Sequence, residues 1–462
     1  MSVVGAIMVP HPPIILPEVG RGEEKKIAAT TAAYEQAAAL VSELRPDTIV
    51  LASPHSILYS DYFHISPGKA AKGDMGQFRA PQVKIHVEYD TQFAAELTKR
   101  CNQTGFPAGT LGERKAELDH GTMIPLYYVN HFDQNYRLVR IGLSGLPLAE
   151  HYRLGQMIQE TADKLNRRVV FIGSGDLSHK LREEGPYGYA KEGPDYDERI
   201  MDVMGRAAFD ELLNFDESFC EKAAECGHRS FCILAGALDG KRLRTERLSH
   251  EGTFGVGYGI CTYRVLGDDP DRRLLRKWEE EQNKIFMEKR AKEDAFVKLA
   301  RAVINAWIRE RKRLPLPDDL PPEMTWQRAG AFVSLHKDGR LRGCIGTIQP
   351  VRSSVAEEIA DNAISAATRD PRFSPVRPEE LDSLEISVDV LSEPESISSK
   401  TELDVKRYGV IVSKGGRRGL LLPNLDGVDS IDEQIAIALQ KAGISRHEKG
   451  IELQRFEVVR HV

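Results

Sequence analysis

A chain of 462 residues is too long for one typical domain, so two or three are expected. With 41% hydrophobic and 29% charged residues it can bury real cores, and it is too polar to be a membrane protein. The net charge is −6 with no basic run able to track phosphates, so no nucleic-acid partner is expected.

The opening residues, MSVVGAIMVPHPP, have neither a basic start nor a long apolar run. No signal peptide, no transmembrane segment and a cytoplasmic location are expected. Six cysteines, at 101, 220, 226, 232, 261 and 344, include no CxxC pair. That argues against a zinc ribbon or a disulfide framework and fits a reducing compartment. IMVPHPP at 7–13 is a short apolar strand that ends on His11. Residues 23–44 carry apolar positions at helical spacing and stop before Pro46. TIVLASPHS at 48–56 is a second apolar strand, ending on His55. Strand, helix and strand of these lengths make a βαβ unit and imply a parallel or mixed sheet.

Residues 61–82 are glycine-rich and polar, as expected of a surface excursion; a strand over 83–87 and a helix over 91–101 follow. LDHGTMIPLYYV at 118–129 sets Asp119, His120 and Gly121 at the start of an apolar segment. A strand over 136–143 and a helix over 149–165 lead into RVVFIGSGDLSHK at 168–180. This stretch begins as a buried strand, breaks at Gly173-Ser174-Gly175-Asp176 and ends on Ser178-His179. Helices alternate with breaks over 195–236, and 250–265 reads as a final strand. Composition changes after Leu266: residues 267–271 are a break and 272–292 are strongly charged and helical. An amphipathic helix over 295–311 opens a region with strands over 331–335, 341–348, 384–391, 409–412 and 419–423, and helices over 355–369 and 430–442. The expected organisation is an α/β domain at 1–266 with a mixed, largely parallel sheet flanked by helices, a charged helical linker at 267–292, and a separate smaller α+β domain at 293–462.

An apolar strand ending in glycines and a polar tip is how open α/β sheets present side chains at the carboxyl ends of their strands, where such folds place their sites. His11, His55 and His179 all stand at such exits. Histidines and a carboxylate around open positions are the ligand set that activates oxygen on Fe(II) or water on Zn(II). His11 and His55 are the candidate imidazole ligands, stiffened by Pro10, Pro12 and Pro54; the plainer reading makes them turn residues. GSGD at 173–176 lacks the lysine and glycine spacing of a phosphate loop. Cys220, Cys226 and Cys232 match no metal template and read as small core residues. The other nine histidines, among them His64, His86 and His228, read as surface or packing residues.

HPP at 11–13, SPH at 53–55, DHG at 119–121 and DLSH at 176–179 occur in this order. In that order and spacing they resemble the LigB-type class III extradiol dioxygenase superfamily, which also contains the MEMO-like proteins, over residues 1–265. The resemblance implies a metal held by His11, His55 and a glutamate near the domain's end, here Glu251. It implies Fe(II) first, with Zn(II) or copper as alternatives, since MEMO-like proteins depart from the carboxylate. It also implies His120 and His179 as acid/base groups beside a catechol-like or other chelating small-molecule substrate that reacts with oxygen. A neutral imidazole titrating near neutrality can take a phenolic proton and return it. Asp119 and Asp176 are candidates to orient a ring, and the plainer reading of His179 is a helix start capped by Ser178. Two alternatives stand beside the dioxygenase-like enzyme: a zinc-type hydrolase or lyase on the same scaffold, and a non-catalytic binding module.

LRGCIGT at 341–347, with DPRFSPV, EISVDVLSEPE and GLLLP further on, resembles the AMMECR family over residues 290–462. Cys344 is a candidate catalytic thiol. Strand alternation puts it on the same face as Arg342, whose cation would favour the thiolate; the plainer reading is a buried structural cysteine. Arg369, Asp370 and Arg372 are candidates for the same pocket. Together the two halves resemble a fused AmmeMemoRadiSam system protein, which implies a radical SAM protein as partner; an oligomer is compatible with the sequence.

Overall fold

The computed structural model describes residues 2–114, 117–337, 339–425 and 427–462. The chain forms two compact units, Met1–Glu281 and Gln282–Val462, and the division falls within the helix Leu274–Ala291.

Among the described residues, six strands form the main sheet of the first unit. Their order is Arg137–Gly142, Thr48–Ser53, Val169–Ser174, Val3–Val9, Tyr258–Asp268 and Lys241–Glu251. The first four run parallel and the last two add antiparallel, so the sheet is mixed and largely parallel. Thr48–Ser53 and Val169–Ser174 are buried at every position, as unbroken apolar runs require when helices cover both faces. Successive side chains divide between two cores. Val50, Ala52 and Phe171 pack towards the helices Leu148–Leu165, Glu192–Arg206 and His228–Ala237, while Ile49, Leu51 and Ile172 pack towards Ala28–Leu44 and His120–Asn130.

Ala28–Leu44 makes the crossover from Val3–Val9 to Thr48–Ser53 and stops at a left-handed Arg45 before Pro46. The helix expected from residue 23 begins as a 3₁₀ turn, Glu23–Ile27. Leu148–Leu165 and His228–Ala237 touch backbone to backbone: a Cβ on Gly236 would stand 1.9 Å from the Tyr152 carbonyl oxygen.

Two regions differ from the sequence expectation. The surface excursion at 61–82 contains the strands Phe63–His64 and Ala70–Met75, and the second pairs with Ala80–Glu88. The final strand expected over 250–265 is an antiparallel pair, Lys241–Glu251 and Tyr258–Asp268, joined by a glycine-rich turn. Gly257 is needed in that turn because a Cβ there would stand 2.0 Å from Asp197 Oδ2. The first strand of the pair was hidden because the edge segment KRLRTERLSHE is charged.

The second unit is α+β. Its antiparallel strands run in the order Arg340–Gly346, Ala331–Lys337, Glu385–Leu391, Glu452–His461, Tyr408–Lys414 and Arg417–Leu421, and Glu395–Ile397 also pairs with Glu452–His461. Val333, Leu335 and Val388 pack with the helices Ala295–Glu310 and Val355–Thr368. Among the described residues, no helix is long and apolar enough to cross a membrane.

Candidate metal centre

Three adjacent strands of the first unit, Thr48–Ser53, Val169–Ser174 and Val3–Val9, deliver His55, Asp176 and His11 just past their carboxyl ends. His11 is 1% exposed, and its backbone N–H donates to Asp176 Oδ1 at 2.7 Å, tying two strand exits together. His11 Nδ1 lies 2.9 Å from Ser174 Oγ. That hydroxyl spends its one proton on the Gly121 carbonyl at 2.6 Å, so it accepts from His11 Nδ1–H. The tautomer is thereby set, and His11 Nε2 is left with a bare lone pair. Burial first, and then the neighbouring His55, lowers the His11 pKa to about 3, so the ring is neutral near pH 7.

His11 Nε2 faces His55 Nε2 at 3.0 Å and Cys226 Sγ at 3.6 Å. Among the described residues, two sets of ligand atoms lie within 4.8 Å of one another: His11, His55 and Cys226, and Asp176, His179 and Cys226. Cys226 stands just before the helix His228–Ala237 and is held by the loop after Val169–Ser174. Asp176 N–H donates to its sulfur at 3.3 Å, and its own N–H donates to the Asp176 carbonyl at 3.4 Å. Gly175 and Gly227 permit this crossing, because a Cβ on Gly175 would stand 2.0 Å from the Gly227 Cα.

Glu251, expected as the third ligand, is in neither set. Its carboxylate accepts from Thr30 N–H at 2.7 Å and Thr30 Oγ1 at 2.6 Å. Thr30 is in the first turn of Ala28–Leu44, where orphan N–H groups and the positive end of the helix draw a carboxylate. His250 beside it pairs with the buried Asp197 at 2.9 Å, and Asp197 in turn accepts from Ser178 N–H and so anchors the DLSH loop.

His120 begins the helix His120–Asn130, and its ring centroid lies 4.0 Å from that of His55 and 5.4 Å from that of His11. Burial, then His55 and His11, lowers its pKa to about 3, below the near-neutral titration expected from the sequence, so the ring is neutral near pH 7. Among the described residues, Asp119 hydrogen-bonds to no imidazole ring. It caps this helix through Thr122 N–H and accepts from Ser53 Oγ, which in turn accepts from His55 N–H at 3.2 Å. Burial alone would raise the Asp119 pKa; the Ser53 hydrogen bond, the Arg140 cation 3.7 Å away and the Thr122 bonds outweigh it and hold the carboxyl below its usual range. Asp176 likewise serves the His11 backbone rather than a ring. His179 is half-buried, and its Nε2 has no hydrogen-bond partner among the described residues. Its ring is 5.1 Å from that of Tyr187, and desolvation lowers its pKa.

Residues 5–261, more than half of the chain, match the family described as the catalytic LigB subunit of aromatic ring-opening dioxygenase. The chain belongs to the LigB family. Residues 297–461 match the AMMECR1 family, so one chain carries both domains. A protein of Clostridium acetobutylicum is 40% identical over 469 residues, spanning 100% of this chain and 99% of its own. A protein of Thermotoga maritima is 52% identical over 170 residues, covering 37% of this chain and 98% of its own. The crystal structure of an uncharacterized protein from Pyrococcus horikoshii is 34% identical and covers 36% of this chain and 88% of that one, at a TM-score of 0.33.

The LigB family implies a metal, and the donor set fits one. Two imidazole nitrogens 3.0 Å apart repel unless a proton or a cation lies between their lone pairs. Around a tetrahedral ion, ordinary bond lengths put two nitrogens about 3.3 Å apart and a nitrogen and a sulfur about 3.6 Å apart. Sequence reasoning missed two residues that the fold brings to this cluster. Cys226 was hidden because its neighbours are distant in the chain. Ser174 was visible within GSGD but had no assigned partner.

In the AMMECR1 unit Cys344 is half-buried rather than sealed in a core, and accepts from Ser334 Oγ at 3.2 Å. Arg342 is committed elsewhere, to Glu380 at 2.8 and 3.1 Å and to the Ser374 carbonyl. A register shift between the pairs Leu335–Gly343 and His336–Leu341 breaks the alternation that would align it with Cys344. Asp370 and Arg372 do come to Cys344, as its N–H donates to Asp370 Oδ2 at 2.8 Å and Arg372 donates to its carbonyl at 3.3 Å.

Proposed function

We propose that the LigB unit is a metal-dependent enzyme of the ring-opening dioxygenase type. It takes a divalent transition metal, Fe(II) first, on His11, His55 and Cys226, and acts with oxygen on a catechol-like or other chelating small molecule. The observation that carries this reading is the convergence of His11 Nε2, its tautomer set by Ser174, with His55 Nε2 and Cys226 Sγ. Bound there, the metal supplies a Lewis acid for the chelating oxygens and redox chemistry for oxygen. The protein's own residues hold and orient the ligands and handle protons. Asp176 fixes the His11 backbone, and Ser53 links the His55 backbone to the cap of the His120 helix. In this reading His120, which stands beside His55, and His179, which keeps an unspent ring nitrogen, take a proton from a substrate hydroxyl and return it. Tyr187, 59% exposed beside His179, offers an aromatic face to such a ring.

A thiolate in place of the expected carboxylate is a softer ligand, and Cys226 therefore favours a second reading, a zinc site with hydrolase or lyase chemistry. Metal content after anaerobic purification, followed by oxygen uptake with a panel of catechols, separates the two. Iron in the wild type, its loss in His55→Ala and oxygen uptake support the first reading. Zinc retention with turnover in the absence of oxygen supports the second. Absence of any bound metal after adding Fe(II) or Zn(II) overturns both.

A further inference from the structure

In the AMMECR1 unit, one face of the sheet packs on the two helices and the opposite face carries polar groups. Cys344 pairs with Ser334, and Ser334 with Ser387; one step along, Phe332 pairs with Asp389, and Asp389 with Arg460. By strand alternation these side chains share the face opposite Val333 and Val388. Two guanidiniums belong to this cluster, each held by its own buried carboxylate. Arg460 grips Asp389 through Nε at 2.7 Å and Nη2 at 2.9 Å. Arg372 grips Asp370 through Nε at 3.0 Å and Nη2 at 2.7 Å. Both carboxylates are 2% exposed, whereas the Arg372 and Arg460 side chains are 55% and 52% exposed. Each pair is thus a fixed dipole with its positive end turned to solvent. Among the described residues no protein acceptor engages Nη1 of either arginine, so each keeps donors in hand. Arg372 Nη2 also donates to the Cys344 carbonyl at 3.3 Å.

We propose that Cys344, Arg372 and Arg460 form an oxyanion-binding thiol site in the AMMECR1 unit, which takes a small molecule bearing a carboxylate or phosphate group beside the sulfur. Pre-set planar guanidiniums with free donors suit such a group. The buried carboxylates cancel much of the net charge, so recognition rests on oriented hydrogen bonds at short range. This site is independent of the metal centre of the LigB unit.

The test is the alkylation of Cys344 in the full chain by iodoacetate, which is anionic, and by iodoacetamide, which is neutral, read peptide by peptide by mass spectrometry. Glutathione in the same buffer gives the intrinsic preference between the reagents. The iodoacetate-to-iodoacetamide rate ratio at Cys344 is expected to exceed that of glutathione by about tenfold at low salt and to fall as salt rises. Inorganic phosphate or acetate should slow iodoacetamide saturably, and comparing them tells which oxyanion is preferred. Arg460→Gln made together with Asp389→Asn, so that no buried carboxylate is stranded, should bring the ratio back towards that of glutathione. A wild-type ratio no higher than that of glutathione, or a thiol that neither reagent reaches, overturns the proposal even if the double variant fails to fold. So does a raised ratio that survives the double substitution.

Discussion

The hydroxyl of Ser174 makes two bonds: it donates to the Gly121 carbonyl and accepts from His11 Nδ1–H. Ser174→Ala therefore leaves a buried N–H and a buried carbonyl without partners, at a cost of about 1–3 kcal/mol in stability. It also frees the ring to take the other tautomer, with the proton on the nitrogen that faces His55 and Cys226. Loss of such an outer-shell partner lowers metal affinity by roughly 10–100-fold, equivalent to about 1.4–2.8 kcal/mol. Ser178→Ala is the matched control. Its hydroxyl is equally buried and also spans two backbone groups, donating to the Ala223 carbonyl and accepting from Lys180 N–H, but among the described residues it bonds to no histidine ring. Cobalt(II) titration of the metal-free protein, followed by the sulfur-to-metal charge-transfer band of Cys226, reports affinity; urea denaturation reports stability. Both variants should lose stability, and only Ser174→Ala should lose affinity. Equal cobalt affinity in Ser174→Ala and wild type would refute the tautomer argument.

Cys226→Ser should abolish that band and weaken metal binding, whereas Glu251→Ala should leave binding intact and cost about 1 kcal/mol through the lost Thr30 bonds, measured by the same titration and denaturation. Gly175→Ala sets a methyl against the Gly227 backbone and should cost about 3 kcal/mol, whereas Gly416→Ala, with nothing within 4 Å, should change urea stability by less than about 0.5 kcal/mol. In the AMMECR1 unit the Arg372 guanidinium, aided by Cys344 N–H and Arg372 N–H, holds the Asp370 carboxyl well below the usual aspartate range. A depressed carboxyl pKa adds stability above the unfolded value, near pH ~4, that is lost as the pH falls through the lower folded value. Thermal melts between pH ~2 and ~6 should therefore slope less on the acid side in Asp370→Asn than in wild type, and identical slopes would count against that pairing.

The sheet was legible in the sequence because its central strands are buried on both faces, and such strands must be continuous apolar runs; the helices were legible by their spacing and stops. His11, His55 and His179 could be picked out because strand exits are local features of the sequence, whereas His120 was reached through the resemblance carried by DHG. The charged edge strand Lys241–Glu251 carries no such run, and it was lost to the eye. The approach of Cys226 to the two histidines belongs to the tertiary structure. Cys226 is 215 residues from His11, and it arrives only because Gly175 and Gly227 let two backbones touch. Glu251 has the right chemistry for a ligand, but in the fold its carboxylate accepts from Thr30 in the first turn of Ala28–Leu44. In the AMMECR1 unit one register shift removes Arg342 from Cys344, while Arg372, already a candidate from the sequence, donates to the Cys344 carbonyl. Periodicity and strand exits are properties of neighbours in sequence, whereas a ligand set is a property of neighbours in space, and only packing decides which polar groups meet.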